Sequence, residues 1–107
     1  MDDNAWQKLE GIDLAAARYP VRANFAGEGI LVFRLKDRLC GVQRSCPHQN
    51  ASLMDAKLVG DDTMLRCARH AFTFRLKDGN GVNCPGFRLK LYEIRQEGDA
   101  LFARAVG

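Results

Sequence analysis

The 107-residue sequence predicts an all-β, antiparallel domain, and three observations predict it. Its apolar residues fall in short, strand-length runs, and turns bearing Gly or Asp separate those runs. The tetrapeptide Phe-Arg-Leu-Lys also occurs three times, at Phe33, Phe74 and Phe87. In a strand, alternation sends its Phe and Leu to one face and its Arg and Lys to the other.

The elements follow in order. Trp6 to Leu9 reads as a short edge strand, and Asp13 as the cap of a single helical turn over Leu14 to Arg18, ended by Pro20. Val21 to Ala26 passes through Gly27-Glu28-Gly29 into Ile30 to Lys36, and Asp37-Arg38 turns the chain into Leu39 to Gln43. Further strands are expected at Lys57 to Val59, Thr63 to Arg66, Phe72 to Leu76, Leu89 to Ile94 and Leu101 to Ala105. Lys77 to Gly81 and Gly98-Asp99 supply hairpin turns. The three tetrapeptides share no period, so this is not a repeat architecture. They read either as half-buried strands with a solvated basic face or as a basic surface that docks an acidic partner protein.

Composition bounds the function. The length leaves room for one domain, 1–107. With 47% hydrophobic and 27% charged residues the chain is not a disordered segment. No unbroken hydrophobic stretch exceeds four residues, Ile30 to Phe33 among them, against the ~20 a bilayer crossing needs. The acidic start, Met1-Asp2-Asp3-Asn4, is unlike a secretory signal, so a cytoplasmic protein with no membrane partner is expected. A net charge of +3 is too mild to imply nucleic acid, and the aromatics alternate inward instead of forming a stacking platform. In a reducing compartment the four cysteines, Cys40, Cys46, Cys67 and Cys84, suggest metal ligation before disulfides.

Two clusters carry the chemistry: Cys46-Pro47-His48 and Cys67-Ala68-Arg69-His70, with 18 residues between His48 and Cys67. Each offers one thiolate and one imidazole, and together they could saturate a tetrahedral zinc or a two-iron cluster. Zinc ligands usually pair like with like, whereas each pair here is mixed. A mixed pair on each of two loops suits a cluster held by two cysteines on one iron and two histidines on the other. Neutral imidazoles bring less negative charge than thiolates, so an electron is added at lower cost and the potential rises. A structural zinc site remains the alternative at this point.

These segments resemble Rieske-type 2Fe–2S ferredoxins. The match runs through Cys46-Pro47-His48-Gln49-Asn50-Ala51-Ser52-Leu53 and Cys67-Ala68-Arg69-His70-Ala71-Phe72, then Cys84-Pro85-Gly86-Phe87 and Leu91-Tyr92-Glu93-Ile94. The resemblance implies a Rieske fold: an antiparallel β-sandwich or barrel-like base, with a small cluster-binding subdomain of two ligand loops over about 44–86. It implies one 2Fe–2S cluster as cofactor and as the metal site, with Cys46 and Cys67 on the inner iron and His48 and His70 on the outer.

Several positions depart from the family's high-potential members. Ala51 and Arg69 stand where those carry a disulfide, and Phe72 and Phe74 stand where they place hydroxyl donors to sulfur. Donors to sulfur stabilise the reduced cluster, so a potential near the lower end of the Rieske range, about −150 mV, is expected. Arg69 beside His70 pulls the other way, unless its guanidinium is turned to solvent. Ala71 replaces a common glycine, Asp61-Asp62 is expected to cap an extra turn, and the net charge of +3 departs from the acidic balance common in these ferredoxins. Cys40 reads as a small buried hydrophobe. Cys84 reads as structural, with an exposed, redox-labile thiol as the alternative. Leu53, Met54 and Phe87 form either an apolar collar around the histidines or ordinary loop packing.

No nucleophile–base pair and no phosphate loop stands out, so no catalytic residue is expected and the chain is read as a non-enzymatic electron carrier. The resemblance implies a soluble ferredoxin passing single electrons from an NAD(P)H-dependent flavin reductase to a terminal Rieske oxygenase, docking briefly near His48 and His70. The main rival is the small Rieske-like subunit of an assimilatory NAD(P)H nitrite reductase. A redox-responsive regulator would need a nucleic-acid-reading element that the sequence does not display.

Overall fold

A computed structural model describes residues 5–10, 12, 18–47, 51–68 and 71–106. Nine strands are assigned among them: β1 (Gln7–Lys8), β2 (Val21–Phe25), β3 (Glu28–Arg34), β4 (Leu39–Gln43), β5 (Lys57–Val59), β6 (Met64–Arg66), β7 (Thr73–Arg75), β8 (Leu91–Glu97) and β9 (Ala100–Ala105). The expected helical turn at 14–18 lies almost wholly outside the described residues.

The strands build two antiparallel sheets, one of six strands in the order β1-β9-β8-β4-β3-β2 and one of three in the order β5-β6-β7. The N-terminal segment joins the two edges of the larger sheet. Gln7 and Lys8 pair with Ala103 and Phe102 of β9, while Glu10 bridges to Asn24 of β2. Between them, the Leu9 N–H donates to the Leu101 carbonyl at 2.8 Å and the Leu9 side chain is buried. Leu9 thus acts as a plug, and the sheet curls into a half-barrel around it.

Strand alternation divides the interior into two cores. Ile30 and Val32 of β3 point into the barrel with Ala23, Phe25, Tyr92, Leu101 and Ala103. Leu31 and Phe33 point the other way, toward the small sheet, with Val42, Leu65, Phe74 and Leu91. This two-sided burial accounts for the unbroken run Ile30-Leu31-Val32-Phe33, since a strand covered on both faces needs no polar side. Each such side chain contributes roughly 1.5–3 kcal/mol on burial, so β3 is the structural spine.

Local chemistry moves some boundaries. The β2–β3 turn is Ala26-Gly27, one step before the expected Gly27-Glu28-Gly29, because Phe25 already pairs with Glu28. Ala26 and Gly27 both have positive φ (51° and 84°), the pattern of a two-residue type I′ hairpin. Gly60, Asp61 and Asp62 form a left-handed turn (φ 61°, 59° and 64°), closed by the Thr63 N–H and hydroxyl on the Gly60 carbonyl. Asp61 ion-pairs with Lys36 there and so ties the small sheet to the β3–β4 hairpin.

Two of the three Phe-Arg-Leu-Lys copies behave as expected, with Phe33, Leu35, Phe74 and Leu76 all buried. The third does not. Leu89 is buried, but Phe87 is 37% exposed, because this copy lies in a turn where the Phe87 N–H donates to the Cys84 carbonyl. Without a regular ladder the period-two alternation fails.

Candidate metal centre

Two loops share one construction. The first leaves the Ser45–Ser52 bridge, and the Cys46 N–H donates to the Ala51 carbonyl at 2.7 Å. The second leaves the Arg66–Thr73 pair of β6 and β7, and the Cys67 N–H donates to the Phe72 carbonyl at 2.8 Å. In both, the cysteine opens a six-residue loop and closes it onto the carbonyl five positions on. The same hydrogen-bonded frame therefore presents each candidate thiolate. His48 and His70, the other two candidates, fall within these loops in sequence but outside the described residues, as does Arg69.

Cys46 and Cys67 are buried in one and the same core, together with Leu53, Leu65, Phe74, Cys84 and Leu89. The structure therefore unites two thiols that are distant in sequence on the apolar side of the loops. No disulfide joins the four cysteines. Two soft sulfur donors set in a dry wall at equivalent loop positions suit a metal–sulfur group. Phe74 is fully buried and Phe72 half-buried, and neither carries a hydroxyl to offer a sulfur.

Ala71, the fifth residue of the second loop and next after His70 in sequence, keeps a left-handed backbone (φ 58°) despite its side chain. Its N–H donates to the Cys67 carbonyl at 3.0 Å, and its own carbonyl accepts from the Asn83 Nδ2 at 3.1 Å. The loop is held in a conformation that alanine alone disfavours.

The other two cysteines lie outside these two loops. Cys40 is buried in β4, where burial pushes its thiol pKa up against the opposing Arg38 charge. Cys84 is 5% exposed, so the exposed-thiol reading does not hold; its side chain is folded inward against Gly81. Burial raises its pKa also, countered by backbone N–H groups of Thr73 and Asn83. Leu53 is fully buried and packs the core, whereas Met54 is half-buried and Phe87 reaches the surface with Val82.

Two residues that the sequence did not single out bind these loops to the 82–90 segment. Gln43 donates from Nε2 to the Ser45 carbonyl (2.7 Å) and accepts at Oε1 from the Lys90 N–H (2.7 Å). Asn83 donates from Nδ2 to the Ala71 carbonyl and accepts at Oδ1 from the Thr73 N–H (2.9 Å). Their only sequence signal was proximity, three positions before Cys46 and one before Cys84-Pro85. Among the basic residues, Arg75 and Arg88 converge on Asp78, the first through an ion pair at 3.0 Å and the second through its carbonyl at 3.1 Å. Arg34 instead lies over the Tyr19 ring.

Fold and loops together define an all-β domain that presents cysteine-bearing hairpin loops for a metal–sulfur group. The sequence matches the Rieske [2Fe-2S] domain family over residues 5–93, and the chain belongs to that family; its cofactor is one Rieske-type 2Fe–2S cluster. It is 29% identical over 69 residues to the ferredoxin component of an alkene monooxygenase system from Xanthobacter autotrophicus (strain ATCC BAA-1158 / Py2). That match takes in 64% of this chain and 56% of the relative, so it spans little more than half of the relative's length. The fold resembles the terminal oxygenase of carbazole 1,9a-dioxygenase from Nocardioides aromaticivorans IC177, with a TM-score of 0.72 and 22% identity over 98% of this chain and 31% of the oxygenase. The corresponding oxygenase from Novosphingobium sp. KA1 gives 0.70 and 22% over 97% and 30%. In both cases the likeness covers a minor part of a larger protein.

Proposed function

We propose that this chain is a one-electron carrier, the Rieske ferredoxin component of an oxygenase system. Cys46 and Cys67 would hold one iron and His48 and His70 the other, with residues 44–86 as the cluster-binding subdomain. The observation that carries the reading is the matched pair of loops, each opening on a buried cysteine and closed by the same N–H to carbonyl bond. When bound, the cluster supplies reversible one-electron chemistry at a potential set by its ligands and their hydrogen bonds. The chain's own contribution is positional. The loop frames fix both cysteine backbones, and the apolar wall of Leu53, Leu65 and Phe74 keeps water from the sulfur side. A rigid, dry setting keeps the structural change on electron gain small.

The monooxygenase ferredoxin relative supports an oxygenase as acceptor. A flavin-dependent NAD(P)H reductase is the proposed donor, docking is brief and lies near His48 and His70, and the chain itself catalyses no reaction. Among the described residues no helix is long and apolar enough to cross a membrane, and we place the carrier in the cytoplasm. Iron and acid-labile sulfide assays, with an EPR spectrum of the dithionite-reduced protein, test the reading. Two irons and two sulfides per chain with a Rieske signal are expected, and one zinc without sulfide would overturn it. Copurification with a large sirohaem- and flavin-bearing protein would instead favour the nitrite reductase subunit.

A further inference from the structure

We infer that Gln43 and Asn83 are positioning residues, a pair of side-chain amides that lock both ligand loops to the 82–90 segment and thereby hold the cluster ligands in place. The inference rests on the cluster reading above. Each amide donates to the carbonyl of a residue flanking a ligand pair: Ser45, directly before Cys46, and Ala71, directly after His70. With its oxygen each also accepts a backbone N–H, from Lys90 and from Thr73. The partners leave no ambiguity in amide orientation, since a carbonyl requires the NH2 end and an N–H requires the oxygen.

Backbone bonds run beside both ties. The Gln43 N–H donates to the Lys90 carbonyl at 2.9 Å, and the Val82 N–H to the Thr73 carbonyl at 2.8 Å. The 82–90 segment is thus fastened at its start to the second ligand loop and at its end to the root of the first. Asn83 has a second task, because the Ala71 carbonyl it holds belongs to the residue strained at φ 58°. An amide at either place donates from its NH2 and accepts at its oxygen, and so reaches two backbone partners at once.

The test measures iron release to a chelator and the histidine nitrogen hyperfine couplings of the reduced protein, in wild type, Gln43→Ala, Asn83→Ala and the double variant. Tyr92→Phe is the control, since it removes the hydroxyl's hydrogen bond to the exposed Glu28 and leaves the ring in the other core. Outer partners of metal ligands typically change metal retention 10–100-fold, so each single variant is expected to release iron about tenfold faster with altered couplings. The control should keep wild-type values. Wild-type release and couplings in both single variants would overturn the inference, as would equal acceleration in Tyr92→Phe, which would mean general loosening. If the alanine variants do not fold, Gln43→Glu and Asn83→Asp keep the acceptor arm and lose the donor; unchanged release in both would be equally fatal. A wild-type chain that takes up no iron and sulfide refutes the cluster reading itself, whereas a loaded wild type with insensitive variants refutes only the role of the amides.

Discussion

Cys46 and Cys67 are structural equivalents: each N–H bonds to the carbonyl five residues ahead, at 2.7 and 2.8 Å, and each side chain is sealed in the same core. Two segments separated by a whole hairpin have converged on one loop design. Equivalence of frame implies that losing either thiol should have the same effect.

Cys46→Ser and Cys67→Ser should therefore both lose the visible Rieske spectrum, as should His48→Ala and His70→Ala. Cys84→Ser should keep it, because Cys84 lies in the 82–90 segment, outside both ligand loops, and is buried there. Absorbance and iron content after anaerobic reconstitution measure this. A spectrum that vanished only with Cys84 would reassign the ligands.

The potential should lie low in the Rieske range, about −150 mV, since Phe72 and Phe74 give sulfur no hydroxyl. Phe74 shares its core with both cysteines, so Phe74→Tyr brings a donor to that wall and should move the midpoint in the positive direction. Redox titration followed by circular dichroism decides it. A clearly positive wild-type midpoint would contradict the argument.

Ala26→Asn should stabilise the fold. Ala26 and Gly27 are the two central residues of a type I′ turn, and Asn tolerates φ 51° far better than alanine. A gain of about 0.5–1 kcal/mol, or roughly 2–6 °C in Tm, is expected from thermal melts of the two proteins. An unchanged or lower Tm would show that the turn is not strained.

Acid stability should depend in part on Glu28. The Lys90 ammonium, by hydrogen bond and charge, and then the Tyr92 hydroxyl hold its carboxyl below the ordinary value of 4.5. A carboxyl depressed in the folded state contributes stability above the unfolded pKa, and that contribution is lost as pH falls through the lower, folded one. Glu28→Gln should accordingly flatten the loss of stability below about pH 4.5, as read from urea midpoints between pH 3 and 7. A slope matching the wild type would exclude this contribution. The Glu28 side chain is well exposed and its salt bridge correspondingly weak, so the effect should be small.

Much of this was legible in the chain itself. Leu39 to Gln43 and Lys57 to Val59 are the strands the sequence indicated, because local alternation and bounding turns are enough to set them. The family was legible as a resemblance carried by the two Cys/His motifs, whose residue types are a local property of the chain. Phe87 shows the limit, since its tetrapeptide is identical to two buried copies and only the turn on Cys84 sends it outward.

What tertiary structure decided was relation. That Leu31 and Val32 serve two different cores, that Asp61 reaches Lys36, and that Gln43 meets Lys90 across 47 residues are properties of sheet curl and register. Sequence specifies which groups a residue can offer to a neighbour. Only the folded chain, by closing long loops against one another, determines which neighbour is there to receive them.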